Sequence, residues 1–138
     1  MKRTPATGGA AISDAPNAIR NRGYHAHIYY DPARTRATAE RLCAVLGQTY
    51  QVQFGGFRDE PVGPHPVANV QIIFTPAQFQ PVVEWLMLHR DGLDVLIHPL
   101  TDNAVADHSC YAMWLGAPVP LKLDTLRGHY RPALLPST

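Results

Sequence analysis

Two histidines two positions apart, His25 and His27 in "YHAHIYY", are the residues whose types and spacing first suggest chemistry. Segment 24–30 alternates as a β-strand does: Tyr24, Ala26, Ile28 and Tyr30 share one face, and His25, His27 and Tyr29 the other. Residues i and i+2 of a strand have Cβ atoms roughly 6–7 Å apart, from a rise of about 3.3 Å per residue. Two imidazoles so placed can lean toward one ion at about 2.0–2.2 Å, the zinc–histidine distance. Imidazole serves Zn, Cu, Fe and Ni alike, so residue type leaves the metal open. A lone His-x-His pair is more often incidental than a ligand pair. What decides is whether other histidines join it.

The elements that would position them can be read along the chain. "DPARTRATAERLCAVLG" predicts a helix with Asp31 as N-cap, Pro32 at its first position and Gly47 as its stop. Ala39, Leu42, Cys43 and Leu46 form its apolar stripe. A second strand runs through Tyr50, Val52 and Phe54, and Gly55-Gly56 predicts a bulge or strand end. "VANVQIIF" is a third strand, with Val70, Ile72 and Phe74 on one face. "TPAQFQPVVEWLMLHRDG" predicts a second helix: a Thr75/Gln78 capping box, Pro76 at its first position, a slight kink at Pro81 and Gly92 at its end. Phe79, Val82, Val83 and Leu86 form its stripe, and "LDVLIHP" is a fourth strand.

The order β-α-β-β-α-β predicts an α+β, ferredoxin-like fold: a four-stranded antiparallel sheet in spatial order 4-1-3-2, both helices on one face, and a Pro-rich C-terminal extension. Strand 1 is expected in the centre, parallel to strand 3 and antiparallel to strand 4. His65 in "GPHP", just before strand 3, then belongs at the start of strand 1, as does His98 at the end of strand 4. If the apolar faces meet the helices, His25, His27 and His98 share the uncovered face. His108 can fold back over the same corner, with Asp107 as its orienting partner or as a turn cap. His89 reads as a last-turn residue favoured by the helix dipole, and His129 has no supporting context.

Composition sets the bounds. With 138 residues, one domain with a substantial core is expected. Residues 1–22 read as a mobile tail, 23–127 as the domain and 128–138 as a C-terminal tail. A net charge of +1 gives no reason to expect nucleic acid or an anionic membrane as partner. No apolar run of transmembrane length or signal-peptide type is present. Cys43 and Cys110 are too few for a disulfide scaffold or a zinc–thiolate site and suit a reducing cytoplasm.

Taken in order and spacing, "YHAHIYYD", "VGPHP", "WLMLHR", "DVLIHPLT" and "DHSCYAMWLG" resemble the DOPA 4,5-dioxygenase family over about residues 22–126. The resemblance implies a non-haem Fe(II) extradiol dioxygenase that opens a catechol ring beside its two hydroxyls with O₂, with zinc or another divalent metal as a substitute occupant. With the expected geometry, His27, His65 and His98 are the candidate metal ligands and His25 a fourth ligand or an adjacent catalytic group. His108 is the candidate acid–base, a role that fits an imidazole pKa near neutrality. Arg58 and Tyr29 are the candidate substrate-binding residues. A facial triad of such oxygenases contains a carboxylate, for which Glu60, Asp102 and Asp107 are the candidates. A small aromatic diol, O₂ and a second copy of the chain are the expected partners. The competing readings are a metal- or small-ligand-binding module without turnover, and a cofactor-free oxygenase or zinc hydrolase on the same scaffold.

Overall fold

The computed structural model describes residues 18–126. Residues 1–17 of the tail expected at 1–22, the tail expected at 128–138 and His129 lie outside the described residues. Within the described part of the N-terminal segment, Asn21 and Arg22 are tied down: Asn21 Oδ1 accepts from Leu100 N at 3.1 Å, and Arg22 pairs with Asp102 at 2.7 Å.

The elements are β1 (Tyr24–Tyr29), α1 (Arg36–Thr49), β2 (Gln53–Arg58), β3 (Asn69–Phe74), α2 (Phe79–His89), β4 (Val95–Pro99), α3 (Ala104–Asp107) and β5 (Met113–Leu115). They form an α+β fold with a five-stranded sheet in the order β2-β3-β1-β4-β5, every pairing antiparallel. The expected order 4-1-3-2 describes its first four strands. The expected four-stranded ferredoxin-like sheet is corrected by β5, which adds a fifth strand beside β4. A second correction concerns direction. β3 runs antiparallel to β1, with Asn69 opposite Tyr29 and Phe74 opposite Tyr24. A helical crossover makes β2 follow β1's direction, and the return from β2 then reverses β3.

The helix boundaries also differ from expectation. Asp31 caps a turn, accepting from Ala33 N at 3.0 Å, while Thr35 Oγ1 accepts from Asp31 N at 2.7 Å; α1 begins only at Arg36. It continues past Gly47 to Thr49. Gly47 serves packing: a Cβ there would lie 3.2 Å from the Phe54 ring. At α2, Thr75 makes no side-chain cap bond, and Pro76–Gln78 form a 3₁₀ turn that leads into the helix. Pro81 falls in the first helical turn, where N–H groups lack intrahelical partners anyway. The Gly55-Gly56 bulge is present, as a register shift between Phe54 and Phe57.

The two sheet faces differ in chemistry. Ala26, Ile28 and Tyr30, with Val70, Ile72, Phe74, Val95 and Ile97, pack against Ala39, Leu42, Cys43 and Leu46 of α1 and Val82, Val83 and Leu86 of α2. Fully burying an aliphatic side chain of this size is worth roughly 1.5–3 kcal/mol, so this face carries the fold. The opposite face presents His25, His27, Tyr29, Asn69 and His98, all buried. The C-terminal segment closes against it. Trp114 of β5 stacks on Tyr29 with ring centroids 5.9 Å apart, and Lys122 N donates to Pro64 O at 2.8 Å.

Candidate metal centre

Two strands and two connections bring five histidines together. His25 and His27 project from β1. His98 of β4 stands directly opposite His25 in the ladder, as expected. His108 follows α3 as its C-cap. His65 reaches the cluster by another route than expected. Because β3 is antiparallel to β1, the chain before β3 lies at the far end of β1. A tight turn, closed by Val62 N to His65 O (3.0 Å) and His65 N to Val62 O (2.9 Å), then folds back over the polar face. The His65 ring ends 4.2 Å from that of His27, and His98 and His108 lie 4.1 Å apart.

Ligand atoms of His25, His27 and His98 lie within 4.8 Å of one another, as do those of His27, His65 and His108. His27 belongs to both groups. Both contain histidine alone. Glu60 is exposed, Asp102 pairs with Arg22, and Asp107 is engaged elsewhere. Asp107 accepts from Thr101 N at 2.9 Å and from Thr101 Oγ1 at 2.6 Å, so it caps the turn from β4 into α3. Burial raises its carboxyl above the usual carboxylate range, opposed by the two Thr101 bonds. Replacing Asp107 by Ala strands two buried donors, and hydrogen bonds to charged groups are worth about 1.5–3 kcal/mol each. The expected result is a thermal midpoint lowered by several degrees and weaker metal uptake, because the same turn places His108; differential scanning fluorimetry and metal titration check both.

The remaining ring nitrogens show how each imidazole is held. His27 Nδ1 lies 3.0 Å from Asn69 Oδ1, His98 Nδ1 2.8 Å from Pro99 O, and His108 Nδ1 2.7 Å from Ala104 O. A ring nitrogen facing a carbonyl oxygen carries the proton, which leaves Nε2 as a lone pair. The other two differ. Gln71 Nε2 donates to His25 Nδ1 at 2.7 Å, and the Tyr29 hydroxyl lies 2.7 Å from His65 Nδ1. Burial raises the Tyr29 pKa, so this buried hydroxyl keeps its proton. Tyr29 and Gln71 thus engage the Nδ1 atoms of His65 and His25.

The sequence reading did not single out Asn69 and Gln71. The signal was there: with Val70, Ile72 and Phe74 on the core face, alternation puts 69 and 71 beside the histidines. Gly55 makes room for Gln71, since a Cβ at Gly55 would lie 2.8 Å from Gln71 Oε1.

Electrostatics favour neutral rings throughout. Burial, then repulsion by His108 and His65, lowers His25 to about 3. Burial and His108 lower His65 to about 4. Burial first and neighbouring imidazoles second hold His27 and His98 well below the usual histidine range, and burial lowers His108. The donor set fits a transition metal. His27 Nε2 and His98 Nε2 stand 3.3 Å apart with both Nδ1 protons already committed to carbonyls. Two lone pairs facing each other at that distance are relieved by a cation held between them.

A cavity of about 280 Å³ opens onto the cluster, lined by His25, His27, His65 and His108, with Arg58, Asn69 and Gln71 in its wall. A larger hollow of about 520 Å³ lies where β1 ends and contains none of the five histidines, so the smaller one is the candidate site. Tyr29 borders the larger hollow and reaches the cluster through His65. His89, outside the cluster, stacks on Trp85 at 4.9 Å. None of the helices among the described residues is long and apolar enough to cross a membrane.

Comparison with known proteins places the chain in a family. The Dopa 4,5-dioxygenase family matches residues 24–125. A DOPA 4,5-dioxygenase of Amanita muscaria is 33% identical over 111 residues, covering 75% of this chain and 49% of that protein. An uncharacterized 21.2 kDa protein of Botryotinia fuckeliana is 38% identical over 115 residues, covering 75% of this chain and 63% of its own length. The chain thus spans about half to two-thirds of the length of these relatives. A crystal structure from Nostoc punctiforme, provisionally described as a dioxygenase, superposes with a TM-score of 0.74 at 48% identity, over 76% of this chain and 90% of that one. By sequence match and by fold, the chain belongs to the Dopa 4,5-dioxygenase family.

Proposed function

We propose that this protein is a non-haem Fe(II)-dependent extradiol dioxygenase that opens the ring of a DOPA-like or related aromatic diol with O₂. The observation that supports this most is the pair of facing Nε2 lone pairs on His27 and His98, within an all-histidine cluster in a chain of this family. Of the five rings, His27 is the most suited to hold the metal, because it is shared by both groups of closely spaced ligand atoms, and a carbonyl takes the Nδ1 proton of His27, His98 and His108 alike. Bound iron would supply the electronic link between diol and O₂, and both oxygen atoms end in the ring-opened product with no further reactant.

The protein's own part is orientation and proton handling. His25 and His65 line the cavity wall, where a ring N–H of each can donate a hydrogen bond to a diol oxygen and orient it. Arg58, on the same wall, is placed to hold a substrate carboxylate. Tyr29 acts at one remove, by holding the His65 ring. The test is anaerobic loading with Fe(II), followed by a panel of catechols and then O₂. The expected outcome is one O₂ consumed per diol and a yellow semialdehyde or its cyclised form. Iron-loaded protein that binds these catechols but consumes no O₂ would favour a binding module without turnover.

A further inference from the structure

Asn69 does two things with one amide, and only one of them is accounted for. Its Oδ1 takes the His27 Nδ1 proton at 3.0 Å. Its Nδ2 is buried and has no hydrogen-bond partner among the described residues, although the side chain is only 2% exposed. A buried donor left unpaired costs more than most native structures tolerate, so such a group points to a missing acceptor. Asn69 lines the 280 Å³ cavity beside His25, His27, His65 and His108. The cavity is the open space this residue borders, so it is the route by which an acceptor for Nδ2 can arrive.

We propose that Asn69 is both the positioning residue for His27 and a binding residue for the substrate: Oδ1 fixes the His27 tautomer, and Nδ2 donates to an oxygen of the bound diol. This rests on the diol reading of the cavity and adds the contact that orients the diol. The amide couples the two tasks, since turning it toward a better bond with substrate would give up the bond to His27. An acceptor oxygen is required at this position. An aromatic amine in its place, its lone pair delocalised into the ring, is a poorer acceptor for Nδ2, which favours diols over aminophenols bound with nitrogen toward Asn69.

The Asn69→Asp variant separates the two roles, because it keeps the acceptor toward His27 and removes the donor toward the cavity. The probes are Fe(II) alone, and 4-nitrocatechol added without O₂ and followed by its visible absorption. Asn69→Asp should bind Fe(II) within about threefold of the original protein and 4-nitrocatechol at least about tenfold more weakly. Asn69→Ala should lose at least about tenfold in both, as removal of a residue orienting a ligand histidine commonly does. A measurement on the unaltered chain guards against misfolded variants: in zinc-loaded protein, 4-nitrocatechol should shift the Asn69 side-chain amide resonance. Unchanged nitrocatechol affinity in Asn69→Asp, or an unmoved amide resonance, overturns the proposal. Failure of the unaltered protein to bind 4-nitrocatechol at all instead removes the diol reading on which it rests.

Discussion

Replacing His27 by Ala should leave a folded protein that no longer retains a transition metal. His27 is the one histidine common to both groups of closely spaced ligand atoms, and its ring lies 4.2 Å from His65 and 5.3 Å from His98. Loss of a residue that merely orients a ligand costs about 10–100-fold in metal affinity, so loss of a central ligand should exceed about 100-fold. Any O₂ uptake with catechols should fall to background. The fold should survive, because Ala26 and Ile28 on the other face carry the packing of β1. His25→Ala should behave differently: metal retained, catechol turnover reduced. Equal metal content in His27→Ala and unaltered protein, measured by plasma emission after gel filtration, would refute the site.

The metal-free protein should lose stability steeply on acidification, starting near pH 6.5. Above that value the buried histidines are neutral in folded and unfolded chains alike, and they add no pH dependence. Below it, the unfolded chain takes up protons that the folded chain resists, down to about 4 for His65 and about 3 for His25. Stability therefore falls as pH falls through this window, by up to about 1.4 kcal/mol per pH unit for each fully buried ring. His27, His98 and His108 shift in the same direction and steepen the slope. Thermal melts of metal-free protein between pH 7.5 and 4.5 check this. The expected trace is flat above about pH 7, then drops by many degrees, with the drop moved to lower pH once metal is bound. A midpoint constant from pH 7 to 5 would show that the rings are hydrated rather than sealed beneath the extension.

Much of this centre was legible in the sequence because strand alternation is strict. One slip of register moves every side chain to the other face, so the apolar set Ala26, Ile28, Val95 and Ile97 put His25, His27 and His98 opposite the helices before any coordinate was known. Direction was harder. Hydrophobic pattern is blind to whether β3 runs with or against β1, and the expected parallel pairing placed His65 at the wrong end of the sheet. Its arrival depends on a backbone turn at Val62–His65 that no periodicity encodes. β5, at three residues, is too short to show alternation. Asp107 and His108 illustrate another limit. Adjacent residues at a helix end point about 100° apart, so of the two roles the sequence left open for Asp107 the fold realises the turn cap. Asp107 holds Thr101, and the carbonyl of Ala104 holds His108.

The edges of the sheet bear on how copies of this chain can meet. Among the described residues, β2 and β5 are the outer strands. A long, flat outer strand is a template on which another chain can crystallise its backbone. Neither of these qualifies: β2 is broken by its double-glycine bulge, and β5 ends after three residues and runs into Pro118 and Pro120. Continuation of the sheet from one molecule into the next is thus disfavoured on both sides. We propose that the homodimer expected from the sequence, where it forms, is joined through side chains on the exposed surfaces, leaving each histidine cluster within its own subunit.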